Sequence, residues 1–121
     1  MVLFVFALVI GVVAGFYLPW QIPLIYSKYV SIAIVAALDS LFGGLRAELE
    51  KNFDNRVFLS GFLLNAVIAA FFAYLGDRLG LDLYLAAVVV FGTRIFQNLA
   101  IMRRLILNNY LKNRERKQEI E

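Results

Sequence analysis

Four long apolar runs dominate the sequence, and they constrain the fold more than any other feature. Hydrophobic residues make up 62% of the 121 residues, and charged residues only 17%. A soluble domain is nearer half apolar and a quarter charged, so a water-soluble fold would leave large apolar patches exposed. The pattern therefore predicts a single all-α membrane domain, 1–121, with four transmembrane helices and a basic tail at 103–121. The predicted spans are about 2–18, 29–45, 57–75 and 83–102. A charged loop at 46–56 is predicted between the second and third spans, and a charged turn at 76–82 between the third and fourth.

The first apolar run fits a retained membrane helix better than a cleaved signal peptide. It covers residues 1–18, contains no charged residue and ends at Pro19. This length meets the usual threshold of about 18 apolar residues for a spanning helix. A signal peptide has a basic start and a cleavage site of small residues, and neither feature is present. We therefore predict that the first run stays in the protein as a helix.

The distribution of lysine and arginine predicts the orientation of the chain. If all four runs span, both termini lie on the same side as the charged segment 46–56. The other side then holds only Lys28 and Arg78. Basic residues concentrate on the cytoplasmic side, so both termini are predicted to be cytoplasmic in a plasma membrane. An arrangement with three spans, in which the fourth run is peripheral, removes this bias. The nine basic residues on the first side are Arg46, Lys51, Arg56, Arg103, Arg104, Lys112, Arg114, Arg116 and Lys117.

The sequence contains no cysteine and no histidine, which narrows the chemistry open to it. Disulfide scaffolds, thiolate zinc sites, cysteine nucleophiles and histidine acid–base catalysis are all excluded. The Gly43–Gly44 pair lacks the glycine-rich context and the Lys-Ser/Thr step of a phosphate-binding loop. We therefore predict a protein that is not an enzyme, with no catalytic residues, no cofactor and no metal. Glutamates in the tail dilute its basic charge, which argues against nucleic acid as a partner.

Polar residues interrupt the apolar runs at similar predicted depths. Asp39, Asn65 and Arg94 each fall near the middle of a span. A charged side chain at the bilayer centre costs about 2.5–3.5 kcal/mol on insertion scales, so such residues face inward and find partners. We predict that Asp39 pairs with Arg94 and that Asn65 adds hydrogen bonds. Gln97 and Asn98 lie one turn from Arg94 and are predicted to satisfy its other donors.

This predicted polar cluster has two interpretations. Polar side chains can lock membrane helices together, within one chain or between subunits. Alternatively, intramembrane charges can line an ion or proton path. A pair of opposite charges neutralises itself and no further carboxylates form a relay, which favours the structural interpretation.

Small and basic residues predict two kinds of contact. Four thin helices enclose no large cavity, so we expect a homo-oligomer. Glycines at helix surfaces are predicted to allow close packing, and these are Gly11, Gly15, Gly43, Gly44 and Gly61. Basic residues on the cytoplasmic side are predicted to contact membrane lipids or a cytoplasmic or membrane protein partner. They are Arg46, Arg103, Arg104, Lys112, Arg114, Arg116 and Lys117.

Two segments together resemble the bacterial small basic protein family. They are "ALDSLFGGLRAELE" at 37–50 and "FLSGFLLNAVIAAFFAYLGDRLGLDLYLAAVVVFGTRIFQNLAIMRR" at 58–104, and the resemblance covers about residues 11–104. Family members are small integral membrane proteins, often encoded close to cell-division genes. The resemblance implies a plasma-membrane protein with a role in the cell envelope or in division, and it carries over no catalytic residue. The residues that carry it are Asp39, Gly43, Gly44, Arg46, Asn65, Arg94 and Asn98.

Two functions follow as expectations from these features. The first is a non-enzymatic, oligomeric membrane protein that scaffolds or recruits other proteins of the cell envelope or division machinery. Its working surfaces would be the 46–56 segment and the basic tail. The second is a small channel or transporter, in which Asp39 and Arg94 control the path of an ion or solute between protomers.

Overall fold

The computed structural model describes all of residues 1–121. It contains four α-helices and no strands, which confirms the all-α prediction. The helices are α1 (Val2–Tyr17), α2 (Leu24–Leu49), α3 (Asn55–Leu79) and α4 (Tyr84–Ile120). α2 and α3 contain their predicted runs, whereas α1 ends one residue before the end of its run and α4 begins one residue after the start of its run. The helices are longer than most of the runs, because hydropathy marks apolar residues while a helix continues until a backbone signal ends it.

Prolines set the first connection. Leu18 is extended (φ −80°, ψ 131°) and precedes Pro19, as expected because proline disfavours the helical conformation in the residue before it. Pro23 is the residue before α2, and its carbonyl accepts a hydrogen bond from the Tyr26 amide at 2.9 Å. The second helix therefore begins at Leu24, five residues before the predicted run.

The charged segment 46–56 is mostly helical, which corrects its prediction as a loop. α2 continues to Leu49 and ends in a Schellman motif, in which the Asn52 amide donates to the Ala47 carbonyl at 2.8 Å. Lys51 adopts the left-handed conformation (φ 60°) that this motif requires. Asp54 then caps α3, because its carboxylate accepts from the amides of Arg56 (2.7 Å) and Val57 (3.3 Å).

The turn predicted over 76–82 begins four residues later, at Gly80. This glycine has φ 69°, and the Leu81 amide closes the end of α3 by donating to the Gly76 carbonyl at 3.0 Å. Gly76 itself is helical and buried. A Cβ atom there would lie 2.6 Å from the Leu81 carbonyl oxygen, so this glycine permits a close backbone approach and does not start the turn.

α2 is the central helix, and it packs against both α3 and α4. α3 and α4 meet each other over a smaller area. The core between the three helices is built mainly from small side chains, which let helix backbones approach closely. Its members are Ile32, Ala36, Ala69, Ala73, Ala87 and Phe91.

α1 lies beside this bundle and has no buried residue. Its contact is made by its first turn, where the Phe4 ring lies 4.6 Å from the Phe58 ring, centroid to centroid. An apolar cavity of about 260 Å³ separates α1 from α2 and α3. Most apolar side chains of α1 are exposed, so its surface calls for lipid or another protein around it.

Three helices, α2, α3 and α4, are long and apolar enough to cross a membrane. α1 has 16 residues, which is about 24 Å of helix against a hydrocarbon thickness of about 30 Å. The predicted tail is not a separate segment, because α4 continues without a break to Ile120. Beyond Leu105 every side chain of the chain is exposed.

Candidate functional site

A buried carboxylate lies in the interior of the bundle. Asp39 has an exposed fraction of 0%. It occupies the same face of α2 as Ile32 and Ala36, because residues three or four apart in a helix share a face. That face packs against α3 and α4, so the apolar residues around Asp39 place it inside the protein and away from lipid.

The structure brings Asp39 together with Asn65 of α3 and Arg94 of α4. The Asn65 amide donates to Asp39 Oδ2 at 3.3 Å and to the Ser40 hydroxyl oxygen at 3.2 Å. Arg94 Nε lies 3.4 Å from Asp39 Oδ1, in an ion pair whose alignment falls short of a hydrogen bond. Asp39 Oδ1 therefore has no hydrogen-bond donor within the chain. The Arg94 side chain is 49% exposed, whereas that of Asp39 is fully buried.

A first cavity, of about 220 Å³, connects this carboxylate with the loop between α2 and α3. Asp39, Asn65 and Arg94 line its inner part, and Asn52 and Asp54 line its outer part. Glycines of α2 and α3 leave the space open, because they place no side chain in it. The cavity therefore extends from the loop side of the protein to the neighbourhood of Asp39, whose side chain stays fully buried.

A second cavity, of about 290 Å³, lies between α2 and α4. Arg46 Nη1 donates to Asn98 Oδ1 at 3.3 Å, and Arg46 Nε donates to Glu50 Oε1 at 3.1 Å. Asn98 was predicted to accept a hydrogen bond from Arg94, which lies one turn away. In the structure it accepts from Arg46 instead. Gln97 lines the cavity, is exposed and makes no side-chain hydrogen bond within the chain. Arg46, predicted to contact lipid or a partner, has two partners inside the chain.

The predicted packing glycines differ in their surroundings. A Cβ atom at Gly44 would lie 2.8 Å from the Phe58 ring, and one at Gly43 would lie 3.7 Å from Asn98 Nδ2. Gly44 therefore sits at a close helix contact, whereas a Cβ atom at Gly43 would make an ordinary van der Waals contact. Gly11, Gly15 and Gly61 have nothing within 4 Å of a Cβ position, so a packing role for these three stays a prediction about other copies of the chain.

A second polar cluster, which the sequence reasoning missed, joins α2 and α3 at the opposite end of the bundle. Lys28 Nζ lies 2.8 Å from Asp77 Oδ1, and the Tyr29 hydroxyl donates to Asp77 Oδ2 at 2.8 Å. Lys28 also lies 5.0 Å from the centre of the Tyr84 ring. The opposite charges of Lys28 and Asp77 near the adjoining ends of antiparallel helices were the available signal. The prediction of a turn at 76–82 obscured it.

The hydrogen bonds of this second cluster shift the pKa values of both charged groups. The pKa of Asp77 is held below its ordinary value of 3.8, mainly because its carboxylate accepts the hydrogen bond from Lys28, with that from Tyr29 second. The same hydrogen bond to Asp77 raises the pKa of Lys28 above 10.5. Both groups are exposed, so water screens the pair.

The basic residues of the tail make no ion pair within the chain. Besides the pair of Asp39 with Arg94, the chain has two salt bridges, Lys28–Asp77 and Arg46–Glu50. Neither includes a tail residue. The six tail residues are exposed along the last part of α4, and they are Arg103, Arg104, Lys112, Arg114, Arg116 and Lys117. No group of three or more acidic, histidine or cysteine side chains is arranged to hold a metal ion.

Comparisons with known proteins identify relatives but no solved structure. A family model described as "Protein of unknown function (DUF1290)" matches residues 22–107. The chain is 44% identical to the "Small basic protein" of Bacillus subtilis (strain 168) over 116 residues, which cover 96% of each chain. It is 47% identical over 100 residues to an uncharacterized protein of Mycobacterium tuberculosis (strain H37Rv), covering 81% of this chain and 83% of that one. No solved structure matches the chain.

Proposed function

The chain belongs to the DUF1290 family, which includes the small basic protein of Bacillus subtilis, and from this premise we propose a non-enzymatic, oligomeric membrane protein that recruits others. Its place is the bacterial plasma membrane, and its partners belong to the cell envelope or division machinery. The single observation that carries the proposal is the form of α4, which is one continuous helix from an apolar half to a charged, exposed half.

The proposed arrangement in the membrane has four spans. α2, α3 and α4 have the length and the composition, and α1 is the shorter fourth span. A bilayer adapts to a short span by local thinning, at a cost of a fraction of a kcal/mol per Å. Nine basic residues then lie with both termini on the cytoplasmic side, against two on the other.

The exposed half of α4 supports a recruiting role. Residues 103–120 extend about 27 Å as a helix, at 1.5 Å per residue. Lys112 and Arg116 lie four residues apart, on one face of this helix. Because every side chain beyond Leu105 is exposed, this face is open to an acidic surface of a cytoplasmic protein.

Site-specific cross-linking in cells tests the recruiting role. A photo-reactive amino acid is placed at Asn113 in the tail and, as a control, at Val2, an exposed residue on the same predicted side of the membrane and outside both proposed working surfaces. We expect a defined cytoplasmic protein to be captured from Asn113 and not from Val2. The paired change Lys112→Glu and Arg116→Glu should then release that protein from the membrane fraction. If the captured protein stays at the membrane in that variant, the tail does not recruit it.

The first cavity supports a second candidate, a small channel or transporter. It leads from the loop side to a carboxylate oxygen that has no hydrogen-bond donor. In this function, Asp39→Asn abolishes flux into proteoliposomes while assembly survives. In the recruiting function, exchanging Asp39 and Arg94 preserves activity, since a self-contained pair tolerates reversal better than the loss of one member. A fully active and assembled Asp39→Asn variant in cells would remove both roles from this pair.

A further inference from the structure

The second cavity has the composition of a site for a phosphate group. Seven residues line it, and Ala47 is the one hydrophobic side chain among them. The others include two guanidinium groups, from Arg46 and Arg94, and the amides of Gln97 and Asn98. A cavity so polar is unusual between helices that are otherwise apolar, and intramembrane polar groups of this kind mark binding sites or pathways.

Unused hydrogen-bond donors face this cavity. An arginine carries five N–H donors, and Arg94 uses only Nε, toward Asp39. Arg46 uses Nε and Nη1, which leaves Nη2 without an acceptor in the chain. Asn98 is 8% exposed, and its amide nitrogen donates to no group of the chain. The exposed amide of Gln97 adds a fourth potential donor.

Free hydrogen-bond donors, and not an excess of charge, favour an anion in the same place. Arg46 pairs with Glu50 and Arg94 pairs with Asp39, so the charges around the cavity balance. Glu50 already accepts from Arg46 Nε, so it does not compete for the free donors. Planar guanidinium groups match phosphate oxygens in pairs, and Arg is the residue best suited to such two-pronged contacts.

We infer that Arg46 and Arg94, with Gln97 and Asn98, bind the phosphate group of an anionic lipid between α2 and α4. The cavity lies at the end of the bundle that leads into the basic tail, which is the cytoplasmic end in the proposed arrangement. Basic pockets between membrane helices on that side bind anionic lipid head groups. The inference rests on the proposed membrane placement but not on the recruiting role, because none of these four residues belongs to the tail.

Native mass spectrometry of the full chain in a non-ionic detergent tests this site. The probes are dioleoyl phosphatidylglycerol and dioleoylglycerol, which share their acyl chains and differ by the phosphoglycerol group. We expect the wild type to bind phosphatidylglycerol and to retain dioleoylglycerol much less. Arg46→Gln should weaken the binding of phosphatidylglycerol by about tenfold, since it removes a charged hydrogen bond.

Two further variants keep this test sharp. Gln97→Glu breaks no hydrogen bond of the chain and places a negative charge in the cavity, so it should weaken lipid binding at least as much. Arg56→Gln is the matched control, because it makes the same change in net charge at the same end of the bundle, on an exposed side chain without a partner. It should leave binding unchanged.

The outcomes separate the possible sources of the phosphate. Displacement of the lipid by excess inorganic phosphate supports a site filled from solution, and resistance to displacement supports the lipid. Equal retention of the two lipids, or equal binding by the wild type, Arg46→Gln and Gln97→Glu, would overturn the inference. An equal loss in Arg56→Gln would do the same, since it would mean general surface attraction. The recruiting role is tested separately by the tail variants, which leave the cavity intact.

Discussion

At the residue scale, the pairing of Asp39 with Arg94 makes a prediction about stability. Removing one member of a buried pair leaves the other charge without a partner, while removing both leaves none. We expect Arg94→Leu to lower the free energy of unfolding by about 1–3 kcal/mol, a moderate figure because Arg94 is half-exposed. The double variant Asp39→Leu, Arg94→Leu should be more stable than Arg94→Leu alone. Thermal unfolding in detergent, followed by circular dichroism, measures both. A double variant that is less stable than either single one would contradict the pairing.

A second residue-scale prediction compares two glycines of α3. Gly76→Ala places a Cβ atom 2.6 Å from the Leu81 carbonyl oxygen, and backbone atoms there cannot move aside cheaply. We expect a loss of about 1–3 kcal/mol in the free energy of unfolding, as for other overpacked sites. Gly61→Ala is the matched control, because its Cβ atom meets nothing within 4 Å. That change should be neutral or stabilising by up to about 1 kcal/mol, through the higher helix propensity of alanine. Equal effects of the two changes would show that the close approach at Gly76 is not rigid.

At the element scale, the end of α2 carries a residue in a costly conformation. Lys51 has φ 60°, and a residue with a Cβ atom pays about 1–2 kcal/mol in the left-handed region. Lys51→Gly should therefore raise the free energy of unfolding by about 1 kcal/mol. Asn52→Gly, at the neighbouring position without a positive φ, should bring no gain. The same thermal unfolding measurement compares them. A gain at both positions would show that relief of the positive φ at Lys51 is not its cause, since glycine acts against stability through the unfolded chain.

The helices could be predicted from the sequence, but several of their ends could not. Apolar runs far longer than a strand predict helices, and all four exist. The segment 46–56 was predicted as a loop because it is rich in charged residues. In the structure α2 continues into it, and Arg46 and Glu50 stabilise this helix end as an i, i+4 pair. Asp39, Asn65 and Arg94 stood out because they interrupt apolar runs. The contact of Arg46 with Asn98 was missed because it joins a predicted loop to a predicted span, and no local pattern links them.

At the scale of the whole molecule, polar contacts hold the three-helix bundle at both ends. Near one end lie the Asp39 cluster and Arg46 with Asn98, and at the other Lys28 with Asp77. Between them the core consists mainly of alanine and a few larger apolar side chains. In lipid, such small residues bring helices together without fixing their rotation, whereas directional contacts do fix it. The two polar ends therefore define the register of α2 against α3 and α4.

The stability that the contact of Lys28 with Asp77 contributes should depend on pH, and the pKa shifts give the direction of this dependence. The pKa of Asp77 is lowered in the folded protein, so its contribution to stability is complete above about 3.8 and is lost as the pH falls through the lower folded value. The raised pKa of Lys28 makes its contribution complete below 10.5, and it is lost as the pH rises through the folded value. Asp77→Asn should therefore lower the melting temperature between pH 5 and about pH 10, and the difference from the wild type should shrink as the pH falls below 3.8. Unfolding in detergent at a series of pH values measures it, and the difference between the two proteins cancels the titration of the other carboxylates. A difference that does not shrink as the pH falls below 3.8 would mean that shape, and not charge, makes Asp77 matter at this end of the bundle.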